Sequence, residues 1–149
     1  VGAYHVLELD TDGTKQAEHF INAVGEDLSG RLIPAVEVRL RGLYRLLPPD
    51  YYEAADNLAD FCDRIEKQYG VRPVIYCTER TYKNIVASDS RFNKDKIWYE
   101  SLFSKPDEDM DWTFWTYTNR VKFSFYESGE YLHMTVFNGS EDDFKKLII

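Results

Sequence analysis

The sequence predicts an α/β fold, with a parallel sheet covered by helices. Three observations carry that prediction. Short apolar or alternating runs of strand length recur along the chain. Segments with apolar residues at helical spacing separate the first four of them. Glycine, proline and small polar clusters mark the junctions. Strands that alternate with helices pair in parallel, because each helix carries the chain back to the same end of the sheet.

Val1–Leu9 reads as the first strand, and Asp10-Thr11-Asp12-Gly13-Thr14 as a turn and helix cap. Lys15–Val24 sets Ala17, Phe20, Ile21 and Val24 on one helical face, and Gly25 stops it. Pro34–Leu40 is the second strand. Pro48-Pro49-Asp50 breaks the chain ahead of a long helix, Tyr51–Tyr69, with the apolar stripe Ala54, Ala55, Leu58, Phe61, Cys62 and Ile65; Gly70 ends it. Pro73–Thr78 is the third strand, and Glu79–Ala87 a helix with Tyr82, Ile85 and Val86 apolar. Ile97–Phe103 is the fourth strand, followed by the acidic loop Lys105–Asp111. Trp112–Thr118 and Leu132–Phe137 are the fifth and sixth, with a short hairpin expected over Val121–Tyr131. Ser140 followed by Asp143 is a capping signature that opens a closing helix, Ser140–Leu147.

The 149 residues and 17.5 kDa fit one domain over residues 1–149. A hydrophobic share of 44% with 30% charged residues belongs to a folded globular chain. A net charge of −8 argues against general binding to nucleic acid or an anionic membrane, since both require a basic surface. No apolar run approaches the roughly 18–20 residues that cross a bilayer. Aromatics at 15% suit the stacking of flat ligands, and a large core would use them as well. Cys62 and Cys77 are too few for a disulfide framework and lack zinc or CxxC spacing. Two buried free thiols are expected, with a single bridge left open. His5, His19 and His133 show no clustered ligand spacing, and no glycine-rich phosphate loop is present. No metal or cofactor is expected.

The second strand carries the functional argument. Val36, Val38 and Leu40 point to one face, and Ala35, Glu37 and Arg39 to the other. The first face belongs under the helices. Two charges on the other face are costly in a buried parallel strand unless they pair or lie at a solvated mouth. Two readings follow: an edge strand with an exposed charged face, or a ligand site at the C-terminal ends of barrel strands. Tyr4 or His5, Tyr76, Trp98, Glu100, His133 and Thr135 add polar or aromatic positions on the other strands. Aromatics with carboxylates in a concave site suit a sugar, whose ring faces stack and whose hydroxyls need hydrogen bonds.

The runs GAYH (Gly2–His5), PVIYCT (Pro73–Thr78), IWYE (Ile97–Glu100), WTFWTYTN (Trp112–Asn119) and MTVFNGS (Met134–Ser140) resemble, in order and spacing, the family 25 glycoside hydrolases. These are lysozymes, N-acetylmuramidases of bacteria and phages. The resemblance covers Val1 to Leu147. It implies a TIM-like (β/α) barrel, incomplete here, with about six of the family's eight strands. The two strand–helix units that the family places before GAYH, the first with an essential aspartate, are absent from this chain. It implies a peptidoglycan or related glycan as partner, with cleavage of the β-1,4 bond between N-acetylmuramic acid and N-acetylglucosamine. It also implies an extracellular or cell-wall location, although no export signal is visible. A homo-oligomer that closes the barrel is one way to cover the open edges.

The family's central strand reads Asp-x-Glu, with the Glu as general acid. Glu37 and Arg39 stand at those positions here. His133 occupies the place of a late acidic residue, and Thr116 that of a glutamine. Arginine stays protonated and cannot pass a proton to a leaving group. The chain is therefore expected to be catalytically impaired or inactive. A glycan groove would be lined by Tyr4, Tyr76, Trp98 and Trp115, with Glu100 and Thr116 beside it. The alternatives are a hydrolase with relocated carboxylates, drawn from Glu8, Asp10, Glu37 and Glu100, and a non-enzymatic interaction or assembly module that uses the open barrel edge.

Overall fold

A computed structural model describes residues 1–122 and 131–149. Its strands are β1 (Tyr4–Val6), β2 (Ala35–Val38), β3 (Val74–Thr78), β4 (Ile97–Glu100), β5 (Phe114–Val121) and β6 (Leu132–Phe137). They form one sheet in that order. The first five run parallel and β6 antiparallel to β5, with register shifts between Thr116 and Val121. No hydrogen-bonded pairing joins β1 to β6 among the described residues, so the barrel is open. The hairpin expected over Val121–Tyr131 falls largely on residues outside those described.

Helices α1 (Gly13–Val24) and α2 (Tyr51–Tyr69) cover the outer face. Asp12 and Asp50 cap them by accepting backbone N–H groups of the first turn. Phe20, Leu58, Phe61 and Ile65 pack there against Val36, Val38, Ile75 and Cys77. Cys62 and Cys77 are both free and buried, and burial pushes both thiols up. No helix is long and apolar enough to cross a membrane among the described residues.

Several boundaries differ from the sequence reading. β1 stops at Val6 because buried Gln16 seizes the chain beyond it. Its amide accepts from the Glu8 N–H and donates to the Glu8 and Thr11 carbonyls. β4 stops at Glu100, and the Ser101 carbonyl is taken by the Trp115 indole at 3.0 Å. The helix expected over Glu79–Ala87 is a single α-turn, α3 (Glu79–Thr81), that widens into a π-helical stretch over Tyr82–Val86. A 3₁₀ turn at Gly42–Arg45 was not expected. The Ser140–Asp143 capping box opens α4 (Glu141–Lys145) as expected, though the helix is shorter. The chain after α4 then crosses to the base of the sheet, where the Ile33 N–H donates to the Leu147 carbonyl at 2.8 Å.

Thr81 is fully buried at the start of α3 and donates its hydroxyl to the Val38 carbonyl at 2.8 Å. It thereby pins α3 to the end of β2. Thr81→Val keeps the shape but removes that donor. The expected cost is about 1–3 kcal/mol, the penalty of a buried polar group left without its partner. A urea midpoint equal to that of the wild type, at unchanged slope, would contradict it.

Candidate active site

The pleat turns alternate residues of each strand inward. Register then aligns Glu37 with Tyr76, Tyr76 with Trp98, and Trp98 with Phe114. One step along, Thr78, Glu100, Thr116 and Thr135 align across β3 to β6. From these inner rows Glu37, Tyr76, Trp98, Phe114, Thr116 and Thr135 line a cavity of about 660 Å³ on the concave face of the sheet, with Glu100 buried behind Tyr76. Its lower part is apolar, with Ile33, Val74 and Leu147; its upper part holds Glu37, Arg39, Arg41 and His133.

Arg39 is the hub of the upper part. Its Nε donates to Glu37 at 2.7 Å. Its two terminal nitrogens donate to the two oxygens of Glu100 at 3.1 and 2.7 Å. One of them also donates to the Tyr76 hydroxyl at 3.0 Å. Tyr76 in turn donates to Glu100. Arg41 adds a second cation on Glu37 at 3.0 Å. Both carboxylates are buried, Glu37 at 7% and Glu100 at 8% exposure, so these charges are sustained only by one another.

The protonation states follow. Burial works to raise Glu100, but hydrogen bonds from Arg39 and Tyr76 outweigh it and hold the carboxyl below its ordinary value of 4.5. Burial works to lower Arg39, but Glu100 and Glu37 hold the guanidinium above its ordinary range. Burial and the bond to Glu100 raise the Tyr76 hydroxyl. At neutral pH the cluster contains ionised Glu100, neutral Tyr76 and cationic Arg39.

The aromatic wall is continuous. Tyr76 and Trp98 have ring centroids 4.9 Å apart, and Trp98 and Phe114 5.3 Å. The Trp98 indole donates to buried Thr116 at 2.9 Å, and Thr116 shares a 2.7 Å hydrogen bond with Thr135. These bonds fix the angle of the indole plate.

The structure thus brings together Glu37, Arg39, Tyr76, Trp98, Glu100, Thr116 and His133, with exposed Tyr4 at the wall. Trp115 is elsewhere. It aligns with Tyr99 and Val136 in the row that faces the helices, and packs on the core. Its parity on β5 is opposite to that of Phe114 and Thr116, so the aromatic on the groove side is Phe114. Glu8 and Asp10 belong to the β1–α1 loop, where the Tyr44 hydroxyl donates to Asp10 at 2.6 Å; neither lines the cavity. Arg41 escaped the sequence reading, although its spacing from Glu37 and Arg39 carries the same alternation. Among the described residues, no group of three or more His, Cys, Asp or Glu is placed to hold a metal.

The profile of the glycosyl hydrolases family 25 matches residues 1–124. The chain belongs to that family. A family 25 glycosyl hydrolase from Bacillus anthracis superposes with a TM-score of 0.85 at 31% identity, over 100% of this chain and 69% of that one. The bacterial lysozyme of Streptomyces coelicolor gives 0.79 at 23% identity, over 99% and 71%. A muramidase from Acremonium alcalophilum gives 0.73 at 23% identity, over 98% and 71%. These last two bear on the fold alone. No curated protein matches the chain. A six-stranded open sheet inside a family 25 chain is an incomplete barrel of that family's type.

Proposed function

We propose that this family 25 chain is a lysozyme-type glycan-recognition scaffold for peptidoglycan whose hydrolytic step is disabled. One observation carries the proposal. Arg39, which the sequence resemblance sets at the family's general-acid position, is a permanent cation engaged by Glu37, Glu100 and Tyr76. Glycoside hydrolysis needs a protonated carboxyl beside the leaving oxygen. Glu100 is held ionised, and arginine has no proton to lend at accessible pH. Loss of general acid catalysis alone removes about 10²–10⁴-fold in rate.

The Tyr76–Trp98–Phe114 wall supports retained binding, since flat faces beside ionised and hydroxyl groups match the two faces of a pyranose. The location that goes with this reading is the cell wall or the extracellular space. The test is the turbidity of a purified cell-wall suspension, with pull-down on the same material. Sedimentation with the insoluble wall and no clearing is expected; clearing at rates typical of lysozymes would sink the proposal.

A second reading, assembly through the sheet edges, is favoured by the lack of pairing between β1 and β6 among the described residues. A second copy paired at those edges would cover the apolar cavity floor. Analytical ultracentrifugation decides it, and a monomer at high concentration rules it out.

A further inference from the structure

We infer that Arg39 is a charge lock on a latent acid–base pair, and that Glu100 becomes the general acid of a hydrolase, with Glu37 as its base, once the guanidinium is removed. The inference deepens the reading above and rests on its claim that the wild-type chain is impaired.

The geometry is the starting point. Glu37 and Glu100 flank a single guanidinium, one on its Nε side and the other on its two terminal nitrogens. Their separation is therefore one guanidinium and two hydrogen bonds. A gap of that kind between two carboxyls is what an attacking water needs in the inverting geometry of glycoside hydrolysis. Glu37 lines the cavity beside the Tyr76–Trp98 wall, and Glu100 lies directly behind the lining residues Arg39 and Tyr76, so that removal of the guanidinium opens it to the space where a sugar ring would lie.

The groups facing Glu100 are Arg39 just past β2, Tyr76 from β3 and His133 from β6, with Glu37 of β2 on the other side of the guanidinium. Arg39 is the chief influence that keeps Glu100 ionised against its burial. Without it, a carboxyl only 8% exposed faces the like charge of Glu37. Burial and like-charge repulsion both favour the protonated form. Arg41 remains bonded to Glu37 at 3.0 Å. Glu100 thus loses its cationic partner while Glu37 keeps one, the asymmetry of environment that sets an acid apart from a base.

In the resulting step, the Glu100 proton passes to the glycosidic oxygen as the C1–O bond breaks. A water in the space vacated by the guanidinium adds its oxygen to C1 and gives a proton to Glu37. Glu100 ends ionised and Glu37 protonated, and exchange with solvent resets both. One water is consumed and two sugar ends are released, with no net change of protons.

The test compares wild type, Arg39→Gln, Arg39→Met and the double variant Arg39→Gln/Glu100→Gln, by release of reducing ends from purified peptidoglycan. Met retains the unbranched stem should Gln disturb folding, and circular dichroism reports which variants fold. We expect a gain over wild type of about 100-fold or more, the lower bound for a working general acid, that the added Glu100→Gln abolishes. Carbon-detected titration of Glu100 should move from below 4.5 in wild type to above it in Arg39→Gln. Folded variants with no gain, a gain that survives Glu100→Gln, or a Glu100 that still titrates below 4.5 would each overturn the inference. A rapid wild-type enzyme overturns the impairment reading instead, so the two failures are distinct.

Discussion

Gly13→Ala is expected to destabilise the chain by about 3 kcal/mol or more, the upper range of core overpacking. A Cβ at Gly13 would lie 1.8 Å from the Asn57 carbonyl oxygen, 2.7 Å from its carbon and 3.0 Å from the Phe61 nitrogen. All three are backbone atoms of α2, so no side-chain rotation relieves the overlap. The start of α1 must lift away from α2. That motion strains the contacts nearest the crossing, where His5 stacks on Phe61 at 5.0 Å and Phe20 meets Phe61 edge-on at 6.2 Å. Phe61 is fully buried, so the damage is to the centre of the outer core. For a chain of this size the melting temperature should fall by roughly 6–12 °C. Scanning calorimetry checks it; a melting point within the error of the wild type would show that α1 and α2 separate at little cost.

Gly13 also shows what a sequence can carry and what it cannot. It reads naturally as part of a turn and cap cluster, and Asp12 does cap α1. The close approach to Asn57 is a contact between segments far apart in the chain, and no local pattern encodes it. The same division holds at the site. Alternation along β2 separates Val36 and Val38 from Glu37 and Arg39, and the structure places the first pair in the core and the second in the cavity. On β5 the run Trp112–Thr118 has aromatics on both parities, so alternation alone does not say which face is inward. Pairing of Trp98 with Phe114 settles it, and that is a property of the sheet. Glu100 was visible as a polar strand position. Its bidentate hold on Arg39, across 61 residues of chain, was not.

Arg39→Ala is expected to cost about 3–5 kcal/mol at neutral pH, because it leaves a buried carboxylate without its cation rather than removing a whole ion-pair cluster. Glu37 keeps Arg41, so most of the penalty falls on Glu100. The pH dependence separates this from a simple loss of packing. In the wild type Glu100 lies below its ordinary value of 4.5. It therefore contributes stability that is full above that value and is lost as the pH falls through the folded-state value. In Arg39→Ala the folded-state value is raised by burial and by Glu37. The sign reverses: the fold is penalised where Glu100 must ionise and recovers as the pH falls toward 4.5. The wild type should thus lose stability on acidification below about pH 4.5, whereas the variant should gain it as the pH falls from about 8 toward about 5. Melting curves across that range decide between the two accounts. A variant whose deficit is the same at pH 8 and pH 5 lost only the contacts of the arginine stem, and Glu37 and Glu100 are then held apart without strain.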